Sequence, residues 1–358
     1  MSTGASARAA ALLFDMSDRG LVAVAGEDRV RWLDGMVSNK VSALAPGPAR
    51  SGCLAALLTP QGRIVAELRV LLRDDGFWLE LARELVAPVV ERLERYVIAD
   101  DVALRDATGD RARLGLEGAG ARACLARACR GALPALAADC IADVELAGVR
   151  VEVAAFGWSG EDAFQLFVPP RASDDVAAAL AAAGAERAAR AELEVLRVEA
   201  GVPATGSELS EDTLPDEANL GRAISTSKGC YTGQEVIARL RSRGGVKYRL
   251  VGIRPAAPGG ALPGAGAAIE RADGRRSGEL SSRVESAAAG GAIGLGFVHR
   301  DDAEPGTELV CDGARVVVCA LPFVAPASAA LPDAGAPGVS GAPGPANARG
   351  GGGDDGGR

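Results

Sequence analysis

From position 27 the chain reads EDRVRWLDGMVSNKV, with apolar residues at 30, 33, 36 and 37. That is the spacing of one helical face and predicts a helix over 27–41. The next apolar stretch, CLAALLTPQGRIVAELRVLL, is broken once, at Pro60 to Gly62. It reads as two strands around a turn. A second turn, Asp74-Asp75-Gly76, precedes a third strand, FWLEL. ELVAPVVERLERYV then returns to helical spacing, with Pro88 tolerable only near the first turn. DDVALRD closes the run as a fourth strand. Strand, strand, strand, helix, strand within about 55 residues predicts a compact α+β unit.

Residues 107–142 are rich in Ala and Arg and give no clear period. Strand character resumes in VELAGVRVEVAAF and DAFQLFVPP. SDDVAAALAAAGA predicts a helix with Ser173 as its N-cap and Gly184 as its stop, and RAARAELEVLRVEAG a second helix ending at Gly201. More than twenty weakly patterned residues follow, up to Ser227. Loops of that length inside a globular chain are usually functional. From about Lys247 short strands alternate with Gly/Pro turns, which predicts a small β-barrel or sandwich. Residues 331–358 hold 10 Gly and 4 Pro, half of that segment, so a disordered tail is expected from 327 onward.

Composition narrows the class. The 358 residues carry a net charge of −8, which argues against a general nucleic-acid binder. No window approaches the roughly 20 apolar residues of a membrane span, and the N-terminus lacks a secretory pattern. A cytoplasmic protein is expected. Seven cysteines at irregular spacing, with no C-x-x-C, do not read as a disulfide framework. On a helix Cys124 and Cys129 would stand about 140° apart, so a shared metal is not expected. The single histidine, His299, excludes any site with two His ligands and reads as a strand-end surface residue.

The candidate chemistry lies in SKGCYTGQEV, Ser227 to Val236. Gly229 and Gly233 bracket Cys230, and glycine permits both unusual backbone angles and the close approach of a ligand. GQEVIARLRS predicts a helix with Val236, Ile237 and Leu240 on its apolar side, which puts Cys230 just before a helix N-terminus. Lys228 and Arg222 could bring positive charge. Both effects stabilise a thiolate. The alternative is a small buried core thiol, the commonest fate of cysteine. One cysteine cannot hold an Fe–S cluster by itself, so no stably bound metal is expected.

Residues 228–235, Lys-Gly-Cys-Tyr-Thr-Gly-Gln-Glu, resemble the Lys-Gly-Cys-(Phe/Tyr)-x-Gly-Gln-Glu signature of the YgfZ-type folate-binding proteins. These are relatives of the glycine-cleavage T-protein that support iron–sulfur cluster assembly. Lys228, Gly229, Cys230, Tyr231, Gly233, Gln234 and Glu235 all fit the pattern. LLTPQGRI, LRVEAGVPATGSELSEDTLPDEANL and GELSSRV followed by AIGLGFVHRDD resemble further segments in the same order, across roughly residues 12–325. GEDRVRWLDGMVSNKV resembles the N-terminal helix, with departures at Trp32 and Ser38-Asn39-Lys40.

The resemblance implies a three-domain ring of α+β class. A discontinuous folate-binding domain would span 1–50 and 141–245, with a ferredoxin-like α+β domain inserted at 51–140. A C-terminal β-barrel domain would span 246–326. It implies tetrahydrofolate as ligand, with Glu199 pairing the pterin's donor edge and Arg239, or its neighbours Arg241 and Arg243, meeting the folate's carboxylates. Cys230 would be the working group, Fe–S client or assembly proteins the partners, and the protein a monomer rather than a classical enzyme. The alternative is a folate-dependent aminomethyltransferase. Those enzymes carry Gly-Gly-x-x-Asp-Asp where this chain has Gly62-Arg63-Ile64-Val65-Ala66-Glu67, and a Phe-(Ile/Val)-Gly turn where it has Cys230 to Gly233. A third reading is a pure binding module with Cys230 inert.

Overall fold

The protein was analysed as a computed structural model that describes residues 10–327. Of the disordered tail expected from 327 onward, all but its first residue lies outside the described residues. The first half runs β1 (Ala11–Asp15), β2 (Arg19–Ala25), α1 (Arg29–Met36), β3 (Ala49–Arg50), β4 (Gly52–Leu58), β5 (Ile64–Arg73), β6 (Gly76–Ala82), α2 (Val86–Glu94), β7 (Ala103–Asp106), β8 (Ala112–Glu117) and α3 (Ala121–Ala128). Then come β9 (Ile141–Leu146), β10 (Val149–Ala154), β11 (Ala163–Val168), α4 (Ser173–Ala182), β12 (Ala185–Arg187), α5 (Arg190–Ala200) and α6 (Gln234–Ser242). The last part is all strand: β13 (Tyr248–Pro255), β14 (Ala268–Glu270), β15 (Arg276–Ser286), β16 (Gly291–His299), β17 (Glu308–Cys311) and β18 (Ala314–Cys319).

These strands form three bodies: a seven-stranded sheet ordered β12-β1-β8-β11-β10-β9-β3, a five-stranded sheet ordered β4-β5-β6-β2-β7, and a closed six-stranded barrel. In the five-stranded sheet every pairing is antiparallel. Trp32 and Leu33 of α1 and Val86, Val89 and Leu93 of α2 pack with its apolar face. All three indoles are core: Trp32, Trp78 and Trp158 are buried, and Trp32 Nε1 donates to Tyr96 O at 3.1 Å. α3 and α4 cover one face of the seven-stranded sheet. On its other face Phe14 and Phe167 meet Leu21, Leu71 and Trp78 of the five-stranded sheet and Leu193 and Leu196 of α5.

Strand membership does not follow an insert at 51–140. β2 and α1 precede residue 51 yet belong with the five-stranded sheet, where β2 sits between β6 and β7. β8 falls within 51–140 but pairs with β1 and β11 in the other sheet. The crossing occurs at the short turn 16–18, after which the chain leaves one sheet for the other. Two local expectations also change. Helix α1 stops at Met36 rather than near residue 41, because the Ser38 hydroxyl is drawn out to donate to Ala223 O at 2.6 Å and to accept from Ala56 N at 2.8 Å. Ser173 is the first residue of α4 rather than its cap. Ala172 precedes it, at the end of a 3-10 turn, with no side-chain capping bond.

The seam between the two open sheets contains a buried ion cluster. Arg19 of β2 grips Glu80 of β6 with two bonds, Nε–Oε1 2.7 Å and Nη2–Oε2 2.9 Å, and Arg113 of β8 adds a third at 3.1 Å. Burial pushes the Glu80 pKa up, but the two arginines outweigh it and bring the carboxyl down from 4.5 to about 2. A depressed carboxyl stabilises fully above its unfolded value and loses that share as pH falls through the folded one. Glu80→Gln is therefore expected to lower unfolding free energy by about 3 kcal/mol at neutral pH, as for breaking a buried pair. It should also flatten the acid dependence of stability between pH 4.5 and 2, as read by urea melts across that range.

Candidate functional site

The Cys230 turn is held from beneath by Lys228. Its side chain is fully buried, and its ammonium donates to three backbone carbonyls: Val37 O at 2.6 Å, Asn39 O at 2.9 Å and Asp34 O. Asp34 and Val37 lie at the C-terminal end of α1, where helix carbonyls lack intrahelical partners and favour a cation. α1 has no basic residue in its own last turn. Lys228 fills that role from across the sequence. Burial pushes its pKa down, while the Asp34 carboxylate 3.9 Å away pulls it back. The same stretch is tied twice more, by Ser38 as above and by Asn39 Nδ2, which donates to Leu54 O at 2.8 Å and Arg222 O at 3.0 Å.

Tyr231 anchors the other side. It is buried in a cluster with Leu54 and Leu58 of β4, Ile64 of β5 and Ile237 of α6. Next comes Gly233, with φ +84°, at the N-cap of α6. A Cβ there would stand 2.7 Å from Thr59 O and 3.0 Å from the Cα of Gly62. Gly62, at the tip of the β4–β5 turn, has φ +75°, and a Cβ there would stand 3.3 Å from Val236 and from Ile237. The two glycines let the turn and the helix end meet backbone to backbone. Gly229 differs: a Cβ there would meet nothing within 4 Å, so no internal contact demands a glycine. Cys230, between these anchors, is exposed. Gln234 is half-buried, and Glu235 is exposed in the first turn of α6.

The positive charge expected at the thiol is engaged elsewhere. Lys228 is committed to the α1 carbonyls, and Arg222 Nη2 donates to Asp139 at 2.7 Å. Asp139 also accepts from Arg69 Nε at 2.9 Å, and Arg69 Nη1 reaches Glu67 at 3.1 Å. Glu67 and Arg69 share one face of β5, and both are buried. The result is a chain of alternating charge, Glu67–Arg69–Asp139–Arg222, running from a strand to the loop before the cysteine. Sequence reading missed Asp139, which lies in the unpatterned stretch. A signal was present in β5, where Glu and Arg two apart interrupt an apolar strand.

Glu199 is buried rather than a solvated helix end. It lies in the last turn of α5, and Ser286 Oγ of β15 donates to its Oε1 at 2.5 Å. Further back along the same strand, Ser282 Oγ accepts from Arg197 at 2.8 Å, and Arg197 also donates to Glu208 at 2.9 Å. The end of α5 is thus clamped along β15. Val198, the neighbour of Glu199, and Tyr231 belong to different apolar clusters. Phe297 of β16 touches both groups. Arg239 is exposed on α6, and Arg241 is paired with Asp216 at 2.8 and 2.6 Å. His299 ends β16, and its Nδ1 accepts from Asp301 N at 3.3 Å. Among the described residues no group of three His, Cys, Asp or Glu could hold a metal, and no helix is long and apolar enough to cross a membrane.

The sequence profile of the GCVT N-terminal domain matches residues 4–228, and that of the glycine cleavage T-protein C-terminal barrel domain matches residues 249–324. The chain belongs to the glycine-cleavage T-protein family. It is 32% identical to an aminomethyltransferase of Saccharopolyspora erythraea, over 88% of this chain and 87% of that protein. An aminomethyltransferase of Rubrobacter xylanophilus is also 32% identical, over 81% of this chain and 77% of its own. The crystal structure of the glycine cleavage system aminomethyltransferase T from Bartonella henselae superposes with a TM-score of 0.79 at 25% identity, covering 89% of this chain and 88% of that one. This confirms the T-protein fold and its terminal barrel. The T-protein profiles leave residues 229–248 unmatched between them, and that gap holds Cys230 and α6.

Two glycines in the turn are expected to behave oppositely. Gly233→Ala should destabilise by at least about 1–2 kcal/mol through its left-handed backbone, before the clash with Thr59 O is counted. Gly229→Ala should stay within about 0.5 kcal/mol of wild type. Lys228→Met should cost about 2–3 kcal/mol and speed amide exchange at the end of α1. Urea unfolding with hydrogen-exchange mass spectrometry reads all three.

Proposed function

We propose that this T-protein family member binds tetrahydrofolate and, through Cys230, supports assembly or repair of iron–sulfur clusters in client enzymes. The observation that carries the reading is exposure. Of seven free cysteines, Cys230 alone is exposed. Burial pushes the Cys53 thiol up to about 12 and the Cys311 thiol up to about 11, so neither supplies a thiolate at neutral pH. The turn offers Cys230 on a rigid support, with the Lys228 clasp on one side and the Tyr231 anchor on the other. Gly229 leaves open space beside it.

The residues present fit a folate. Glu199 is a buried carboxylate already oriented by the Ser286 hydroxyl, and a carboxylate suits the paired N–H donors of a 2-amino-4-oxo ring. Glu199 would hold the ring, and Arg239, exposed on α6, would meet the carboxylate tail. Bound there, tetrahydrofolate supplies a ring nitrogen that can carry a one-carbon unit. The part this chain plays is to orient the ring and present the thiol.

Aminomethyl transfer is the second reading, favoured by the activity named for the relatives above. Against it stand Ala66 and Glu67 where the resemblance to those enzymes calls for two aspartates. Glu67 is bound to Arg69, and a displaced carboxylate costs about a hundredfold in rate for 1 Å.

The test compares cells whose only copy carries Cys230→Ala with a deletion and with wild type, at controlled protein level. The activity of a [4Fe–4S] enzyme should fall to the deletion value. Wild-type activity in the variant, with loss in the deletion, would sink the thiol reading. Turnover by the purified protein of an aminomethyl carrier and tetrahydrofolate would move the assignment to the second reading. Glu199→Gln should weaken tetrahydrofolate binding about 10- to 100-fold, as for loss of a charged hydrogen bond, measured by titration calorimetry.

A further inference from the structure

A cavity of about 330 Å³ opens where the end of β1 and the start of β8 meet the five-stranded sheet. Its lining includes neither Glu199 nor any residue of 228–235. Five arginines line it: Arg19, Arg83, Arg111, Arg113 and Arg187. They come from β8 and β12 of one sheet, from β2 of the other, from the β6–α2 connection and from the β7–β8 link between the sheets. Against them the lining holds two carboxylates, Asp15 and Asp174. Glu80, behind the wall, is saturated by Arg19 and Arg113.

Arg113 is the telling member. Its side chain is 2% exposed, and one nitrogen, Nη2, bonds Glu80. Nε and Nη1 are buried with no hydrogen-bond partner. A buried guanidinium with unmade bonds is costly, and such groups call for a partner that the protein itself does not supply. Burial also pushes the Arg113 pKa down, and Arg19 beside it does the same, an effect that a bound negative charge would relieve. The outer arginines leave the mouth open. Arg83 and Arg187 are exposed, Arg83 with one bond to Ser17 O at 3.1 Å, and Arg111 makes two contacts of 3.3 Å to Glu152 and one of 2.9 Å to Asp110 O. Hydroxyls of Ser17, Thr108 and Ser173 stand among them as further donors.

We propose that this cleft is a binding site for a small, multiply charged oxyanion. Guanidinium groups on several sides, with Nε and Nη1 of Arg113 still without partners, suit phosphate or carboxylate oxygens, and the volume lies at the lower end for small-molecule sites. The site is independent of the folate and Cys230 reading: it uses different residues at a different seam.

The full chain is titrated with pyrophosphate, with citrate, and with sodium chloride at matched ionic strength, and its thermal midpoint is followed. One of the two oxyanions should raise the midpoint saturably while chloride does not. Pyrophosphate acting alone assigns a phosphate-bearing ligand, and citrate acting alone a polycarboxylate. In the Arg83→Ala/Arg187→Ala double variant, whose two changes fall on exposed side chains, the half-saturating concentration should rise at least about tenfold, as for two lost charge-assisted bonds. The Arg113 Nε–H resonance should shift on saturation. No saturable rise with either oxyanion, an unchanged response in the double variant, or an unmoved Arg113 resonance would overturn the proposal.

Discussion

A single ammonium group holds the candidate site together. Lys228 reaches under its own turn to the last carbonyls of α1 and so joins the first helix of the chain to the segment that presents Cys230. Everything around the thiol depends on that clasp. Ser38 and Asn39 follow directly after the capped helix end and tie the loop at 222–225 to β4. With the loop fixed there, Tyr231 enters the core and Gly233 can touch Gly62. A lysine in this place acts as structure, and the charge that a sequence reader assigns to the cysteine is used to finish a helix.

The same logic recurs where the bodies meet. Arg19, Glu80 and Arg113 join the two open sheets, and Arg197, Glu208 and Ser282 join α5 to the barrel. Burying charge gains little stability over a well-packed apolar contact, because desolvation opposes the attraction. Its effect is geometric. A bidentate arginine accepts one orientation of its partner, so the bodies dock in one register.

Where the pattern was periodic, the sequence was legible. The β4–β5 hairpin, α2, α5 with its Gly201 stop, α6 and the terminal barrel all announce themselves through spacing, turns and caps. Strands β1 and β2 do not, since RGLVAVA alternates too briefly to separate from a loop, and its partners β6 and β7 lie far downstream. β8 and α3 were hidden in Ala/Arg-rich sequence, where Arg113, which looks like surface, turns out to be buried against Glu80. The site was half legible. An eight-residue motif marked Cys230, but nothing in it told that Lys228 points inward, or that Ser286, in an ordinary barrel strand, bonds Glu199. Such contacts join residues through space, and no local spacing encodes them.

The clasp has a consequence for how the molecule comes to be. Lys228 and Val37 are 191 residues apart in the chain, and Ser38 and Ala223 are 185 apart. Contacts of such separation carry the largest loop-closure entropy and form late. During synthesis the α1 carbonyls must wait until more than half of the polypeptide has emerged before their cation arrives. The cysteine therefore gains its rigid setting only when both open sheets are in place. An incomplete or misassembled chain has the thiol but not the site.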